Sequence, residues 1–175
     1  MEITTADVKE LREMCGAGIM ECRHALVETG GDKHKAVELL KERGCLKAAK
    51  KAERVTAQGL VESYIHTGGR IGAMVELNCE TDFVARTDEF KQLAHDIAMQ
   101  VAAMNPQYVT AEELPADSLL DAETACLMSQ PFIKDPSRLV KDLVVEVISK
   151  TGENVRIGRF IRFEIGLKIP SQTEV

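Results

Sequence analysis

From Arg70 to Leu77 apolar and polar positions alternate, with Ile71, Ala73, Val75 and Leu77 on one side. A period of two predicts a half-buried strand. Further on the period changes: Phe90, Leu93, Ala94, Ile97, Ala98 and Val101 recur at helical spacing. That stripe predicts an amphipathic helix beginning at an N-cap Thr87 and ending at Asn105-Pro106. A second stripe, Val140, Leu143, Val144, Val147 and Ile148, predicts another helix, stopped by Gly152. Leu60 to Ile65 reads as a strand joined to the first by His66-Thr67-Gly68-Gly69-Arg70, whose glycines supply the positive φ of a hairpin turn. Near the C-terminus Val155, Ile157, Ile161, Phe163 and Ile165 share one face of an extended segment, with Arg156, Phe160, Arg162 and Glu164 on the other. Phe160 gives the second face apolar character too, which suits a strand packed on both sides.

The first 45 residues have a different texture. Thr5 is placed to cap a helix carrying Val8, Leu11 and Met14 or Cys15 inward, with Gly16 as its stop. A second helix is expected from about Gly18 to Thr29. A third, capped by Asp32, has Ala36, Val37 and Leu40 inward and Gly44 as its end. A bundle of that size is marginal alone. The basic run Lys47-Ala48-Ala49-Lys50-Lys51-Ala52-Glu53-Arg54 follows, and its interleaved alanines suit a solvated linker helix better than a nucleic-acid patch. The expected class is α+β, with a three-helix N-terminal module over 1–45 and a basic linker helix over 46–56. An α+β core and dimerisation domain over 57–168 follows, its antiparallel sheet (59–66, 70–78 and 154–166) carrying helices on one face, and a loose tail covers 169–175.

Composition narrows the function. The 175 residues include no Trp and 5 Phe, so cores should be small and aliphatic. The 5 cysteines, at 15, 22, 45, 79 and 126, are odd in number and contain no Cys-x-x-Cys pair. Reduced thiols are expected, not a zinc site or a disulfide framework. No apolar run approaches the ~18 residues of a membrane helix, and the N-terminus lacks the pattern of an export signal. The net charge is −6, with the acidic excess all beyond residue 54, which argues against direct nucleic-acid binding. No phosphate-cradling or dinucleotide glycine motif is present, and no Ser/His/Asp set assembles. The chain therefore reads as a binding protein without cofactor or metal, and not as an enzyme.

Between the strand ending at Leu77-Asn78 and the helix capped by Thr87 lies Cys79-Glu80-Thr81-Asp82-Phe83-Val84-Ala85-Arg86. Periodicity leaves Phe83 either folded back into the core or presented from a polar loop. The wording of this stretch, Asn-Cys-Glu-Thr-Asp-Phe-Val-Ala-Arg, resembles the signature of the elongation factor Ts family. Val8-Lys9-Glu10-Leu11-Arg12-Glu13 followed by Gly16-Ala17-Gly18-Ile19-Met20-Glu21-Cys22-Arg23 resembles a second signature of that family, and the likeness continues through Gly152-Glu153-Asn154 to the last strand.

The resemblance implies a guanine nucleotide exchange factor of protein synthesis that binds elongation factor Tu, GDP-bound and nucleotide-free, and releases its GDP. It implies a ubiquitin-associated-like module contacting the nucleotide-binding domain of elongation factor Tu through Arg12, Ile19, Met20 and Arg23. Ile19 and Arg23 stand where the family usually has Met and Lys, keeping apolar and cationic character with altered shape. His66, in the family's Tyr-x-His element with Tyr64, is implied to touch another domain; as a turn residue it is equally ordinary. The Thr81-Asp82-Phe83 loop is implied to disturb the magnesium and phosphate site, with Val84 as a further partner contact. Pro115 to Gln130 is shorter than the charged insertion of short relatives. A bacterial cytoplasmic protein is implied, with an organellar counterpart left open. Longer relatives hold two core subdomains where this chain has material for one. A homodimer through sheet faces is therefore expected, with Ile157, Ile161 and Phe163 in its interface. Two other classes compete: an adaptor whose helical module binds protein ligands without exchange activity, and a helix-turn-helix nucleic-acid binder.

Overall fold

The computed structural model describes residues 3–166. Helix α1 (Thr5–Cys15) is capped one residue before the expected position: Thr4 accepts from the Asp7 amide, and the Asp7 carboxylate accepts from the Thr4 amide. Gly16, in the left-handed region at φ 66°, closes it. Helices α2 (Ile19–Glu28) and α3 (Lys33–Ala49) follow, α3 capped by Asp32 as expected. Val8, Leu11, Cys22, Ala25, Leu26 and Ala36 form a small core among the three.

Gly44 does not end α3. The helix continues to Ala49, and residues 50–54 form turns, so the separate helix expected over 46–56 is absent. The cause is packing across the chain. A Cβ on Gly44 would lie 3.2 Å from both Ser149 Oγ and Val145 Cγ1, so this glycine is where α3 and a C-terminal helix approach closely. Glycine within a helix costs about 1 kcal/mol relative to alanine, a modest cost beside a close helix–helix contact.

The rest is built on a three-stranded antiparallel sheet of β1 (Gln58–Ile65), β2 (Ile71–Cys79) and β5 (Val155–Glu164), with β2 in the middle. Between β2 and β5 run α4 (Asp82–Ala85), α5 (Asp88–Met104), α6 (Ala122–Ala125), the short strands β3 (Pro131–Phe132) and β4 (Asp135–Leu139), and α7 (Val140–Thr151). The β3–β4 pair was not legible in the pattern. The architecture is α+β, with helices on one face of the sheet. Ala73, Val75 and Leu77 of β2 and Val155 and Ile157 of β5 meet Phe90, Ile97, Val101, Val144 and Val147 in one aliphatic core. Buried Gln100 is fully used: it donates to Gln130 Oε1 at 3.1 Å and the Pro131 carbonyl at 3.0 Å, and accepts from the Ile133 amide at 2.9 Å. It thereby ties the 130–133 segment to α5.

The other sheet face is open, and β5 contributes to both faces through a bulge. Leu77 pairs with Ile157 and Glu76 with Arg159, leaving Gly158 as the extra residue. One extra residue reverses the side-chain parity. Val155 and Ile157 therefore point to the helices, whereas Ile161, Phe163 and Ile165 point to the open face; the five do not share a face as the alternation suggested. A Cβ on Gly158 would lie 2.5 Å from Asn78 Oδ1, so the bulge position accommodates glycine. Phe160 and Arg162 turn inward, and Arg162 Nε donates to the Ala102 carbonyl at 2.9 Å, near the C-terminal end of α5. The tail expected over 169–175 lies outside the described residues.

Candidate functional site

Residues 82–85 are one helical turn and not a loop. Thr81 caps α4, and the next cap, Thr87, both starts α5 and donates its hydroxyl to the Val84 carbonyl at 2.8 Å. Val84 and Ala85 are 8% and 9% exposed and belong to the core. Phe83, between Asp82 and these two anchors, is 77% exposed. A single turn directs successive side chains about 100° apart, so burying Val84 and Ala85 leaves Phe83 facing solvent. Asp82 pairs with Arg86 one turn later at 2.7 Å. The Thr81 hydroxyl and amide both donate to Glu153, at 2.6 and 3.0 Å. The result is an exposed aromatic ring on a backbone held from both sides. Val84, expected at a partner surface, instead fills the chain's own core.

Beside it, Glu80 accepts from the Asn154 amide at 2.6 Å and pairs with Arg54 at 3.4 Å. The Asn154 hydrogen bond, opposed by desolvation and helped by Arg54, holds this carboxyl below its ordinary value of 4.5. A depressed folded pKa contributes stability that is complete above the ordinary value and lost as pH falls through the folded one. The Asn154 amide resonance is accordingly expected to titrate with a midpoint below 4.5. A midpoint at or above that value would show that the hydrogen bond does not form in solution.

A second exposed set lies on the first two helices. Ile19 and Met20 are 57% and 56% exposed, so neither enters the small core. Arg12, in the last turn of α1, and Arg23, on α2, are exposed as well. Val27, 60% exposed, continues the stripe of Met20 and Arg23 at helical spacing, a period legible in the sequence. His66 sits exposed at the hairpin turn with Nδ1 3.1 Å from the Tyr64 hydroxyl. Of the three residues expected between protomers, Ile161 and Phe163 are exposed at 50% and 54%, but Ile157 is 7% exposed and packed under the helices. All five cysteines are free. Burial, then the adjacent Cys15, pushes the Cys22 thiol up to about 11. Among the described residues no three His, Cys, Asp or Glu side chains gather as a metal site, and no helix is long and apolar enough to cross a membrane.

The family model for elongation factor Ts matches residues 32–124, which include the 81–84 turn and the hairpin. Elongation factor Ts of Carboxydothermus hydrogenoformans is 48% identical over 98% of this chain and 93% of its own length. The chain belongs to the elongation factor Ts family. Elongation factor Ts of Heliobacterium modesticaldum is 49% identical over 94% of this chain and 90% of that protein, and that of Thermotoga maritima 47% identical over 95% and 98%. The alignment with the C. hydrogenoformans elongation factor Ts spans 202 positions, more than the 175 residues available, so that relative carries segments without a counterpart here.

Proposed function

We propose that the chain is a guanine nucleotide exchange factor of protein synthesis that binds elongation factor Tu and promotes GDP release. Phe83 carries this reading: a 77% exposed ring on a turn anchored by Val84, Ala85 and Glu153 suits a wedge and adds little burial to its own chain. GDP in a GTPase is held by a cation and by loop amides, so displacing the magnesium ligands removes charge neutralisation from the phosphates. A ring with two χ angles costs little entropy to fix on binding. Asp82 supplies a carboxylate for the amides of a helix end, once it leaves Arg86.

Magnitudes require a second contact. Lowering GDP affinity roughly 10⁴-fold takes about 5.5 kcal/mol of differential binding between partner states, and burying one Phe supplies about 1.5–3 kcal/mol. The remainder is assigned to the helices over 1–45 as a binding module, through Arg12, Ile19, Met20, Arg23 and Val27, with His66 as a further contact from the core over 57–168. The open sheet face, with exposed Val61, Ile65, Met74, Ile161, Phe163 and Ile165, is assigned to a symmetric homodimer. Nothing in this scheme needs a cofactor, a membrane or nucleic acid, and a cytoplasmic place is expected.

The test is release of a fluorescent GDP from elongation factor Tu on addition of the chain. Acceleration at substoichiometric amounts supports exchange; a stable complex without acceleration would favour an adaptor. Arg12→Ala and Met20→Ala are each expected to raise the half-saturating concentration roughly 5–30-fold, the range of a contact worth about 1–2 kcal/mol, with the saturating rate little changed. An unchanged half-saturating concentration in both variants would remove the helical module from the interface.

A further inference from the structure

The turn between α7 and β5 reaches two distant segments at once. Glu153 accepts from the Thr81 hydroxyl with Oε1 and from the Thr81 amide with Oε2. Its neighbour Asn154 is 2% exposed. The Asn154 backbone amide donates to Glu80, and its side-chain amide donates to the carbonyls of Ala52 at 3.2 Å and Arg54 at 3.0 Å. One dipeptide thus holds the N-terminal end of the turn that carries Phe83 and the chain that leaves α3.

Helix α4 has four residues, far below the length at which a helix holds its own shape. What points Phe83 outward is therefore whatever fixes the ends of that turn. Its C-terminal end is fixed by buried Val84 and Ala85 and by Thr87. At its N-terminal end the two oxygens of Glu153 meet two donors of one residue, and charged acceptors make the stronger hydrogen bonds.

We propose that Glu153 and Asn154 are positioning residues for nucleotide exchange. Glu153 sets the direction in which Phe83 is presented, and Asn154 sets the exit of α3 and with it the spacing between Phe83 and the exposed set on α1 and α2. This rests on the reading of Phe83 as a contact residue. The two arms have different signatures. A loosened turn still binds through the helices but delivers the ring poorly, which lowers the saturating rate. A loosened α3 exit leaves the α3–α7 packing as the remaining tie, lets the two contacts drift relative to one another, and raises the half-saturating concentration.

The experiment uses the full chain and elongation factor Tu loaded with fluorescent GDP. Glu153→Ala is expected to lower the saturating release rate about fivefold or more while moving the half-saturating concentration by less than about twofold. Glu153→Gln, which keeps the length and one acceptor oxygen, should fall between it and the wild type. Asn154→Ala should instead raise the half-saturating concentration. Added to Phe83→Ala, Glu153→Ala should cause no further loss, because the two act as a unit; a residue that only maintains the fold would give multiplying losses that follow the melting temperature. In the free protein, hydrogen exchange at the Thr81 amide should quicken about tenfold in Glu153→Ala, with the sheet and α5 unchanged. A slow Phe83→Ala beside a wild-type-like Glu153→Ala, or multiplying losses in the double variant, overturns the positioning role alone. A Phe83→Ala chain that releases GDP at the wild-type rate overturns the contact reading, and the positioning role with it. Should Glu153→Ala not fold, a Glu153→Gln rate equal to wild type, with Phe83→Ala slow, decides against the proposal.

Discussion

Phe83→Ala is expected to slow stimulated GDP release from elongation factor Tu more than about tenfold while leaving the free chain folded and about as stable as before. The stability half follows from exposure. A ring 77% exposed contributes little apolar burial, and substitutions at such positions usually stay within about 0.5 kcal/mol of neutral. Phe90, seven residues on and 0% exposed, is the control: Phe90→Ala empties a site under the sheet and should cost about 3–5 kcal/mol. The rate half follows from differential binding. A ring buried only when the partner's nucleotide site opens would contribute up to about 3 kcal/mol to that state, and about 1.4 kcal/mol is already tenfold. Asp82→Ala should do less, because in the free chain Asp82 is engaged with Arg86 and exposed ion pairs are worth little. Stopped-flow release at saturating exchange factor, with thermal melts of each variant, measures both halves. A Phe83→Ala chain that melts several kcal/mol less stable but exchanges normally per folded molecule would mean that the ring packs inward in solution.

Much of this arrangement could be read from local pattern. The alternation of Ile71, Ala73, Val75 and Leu77 marked the buried face of β2. The stripes from Phe90 and Val140 marked α5 and α7, and Asp32, Thr87 and Gly152 marked ends, because each signal is carried by residues within one or two turns of each other. The misreadings share the opposite property. Gly44 has the chemistry of a helix stop, and only its 3.2 Å approach to Ser149, about a hundred residues away, shows why it sits inside α3. Gly158 within an alternating strand is a recognised sign of a bulge, but whether the parity reverses depends on pairing with β2. Phe83 could not be placed by periodicity, since a four-residue turn has no period to read. The Glu153–Thr81 contact joins residues 72 positions apart and left no trace in the pattern beyond two polar residues after a helix-ending glycine.

The bulge at Gly158 places Ile161 and Ile157 on opposite faces, so the two are expected to respond differently to substitution. Ile161, Phe163 and Ile165 stand on the open face with Met74, which pairs with Ile161, and with Val61 and Ile65 of β1. The Glu76–Arg159 pair at 2.8 Å lies on the same face. An apolar centre beside charged residues is the composition of a specific interface, whereas the solvated face of an antiparallel sheet is ordinarily polar. Two copies related by a twofold axis bury the same patch against itself. The 19.3 kDa chain is therefore expected to sediment as a dimer at micromolar concentration, and Ile161→Asp as a monomer with its fold retained and its exchange activity weakened. A carboxylate at a position 50% exposed costs the free chain little, but in the dimer it would lie unpaired in an apolar contact, a penalty of several kcal/mol per ion. Ile157→Asp should behave differently. That side chain is 7% exposed beneath the helices, so the same charge should unfold the chain instead of separating two copies. Sedimentation velocity with circular dichroism separates the outcomes. A wild-type chain that runs as a monomer at that concentration would refute the sheet-face dimer and leave its apolar face unexplained.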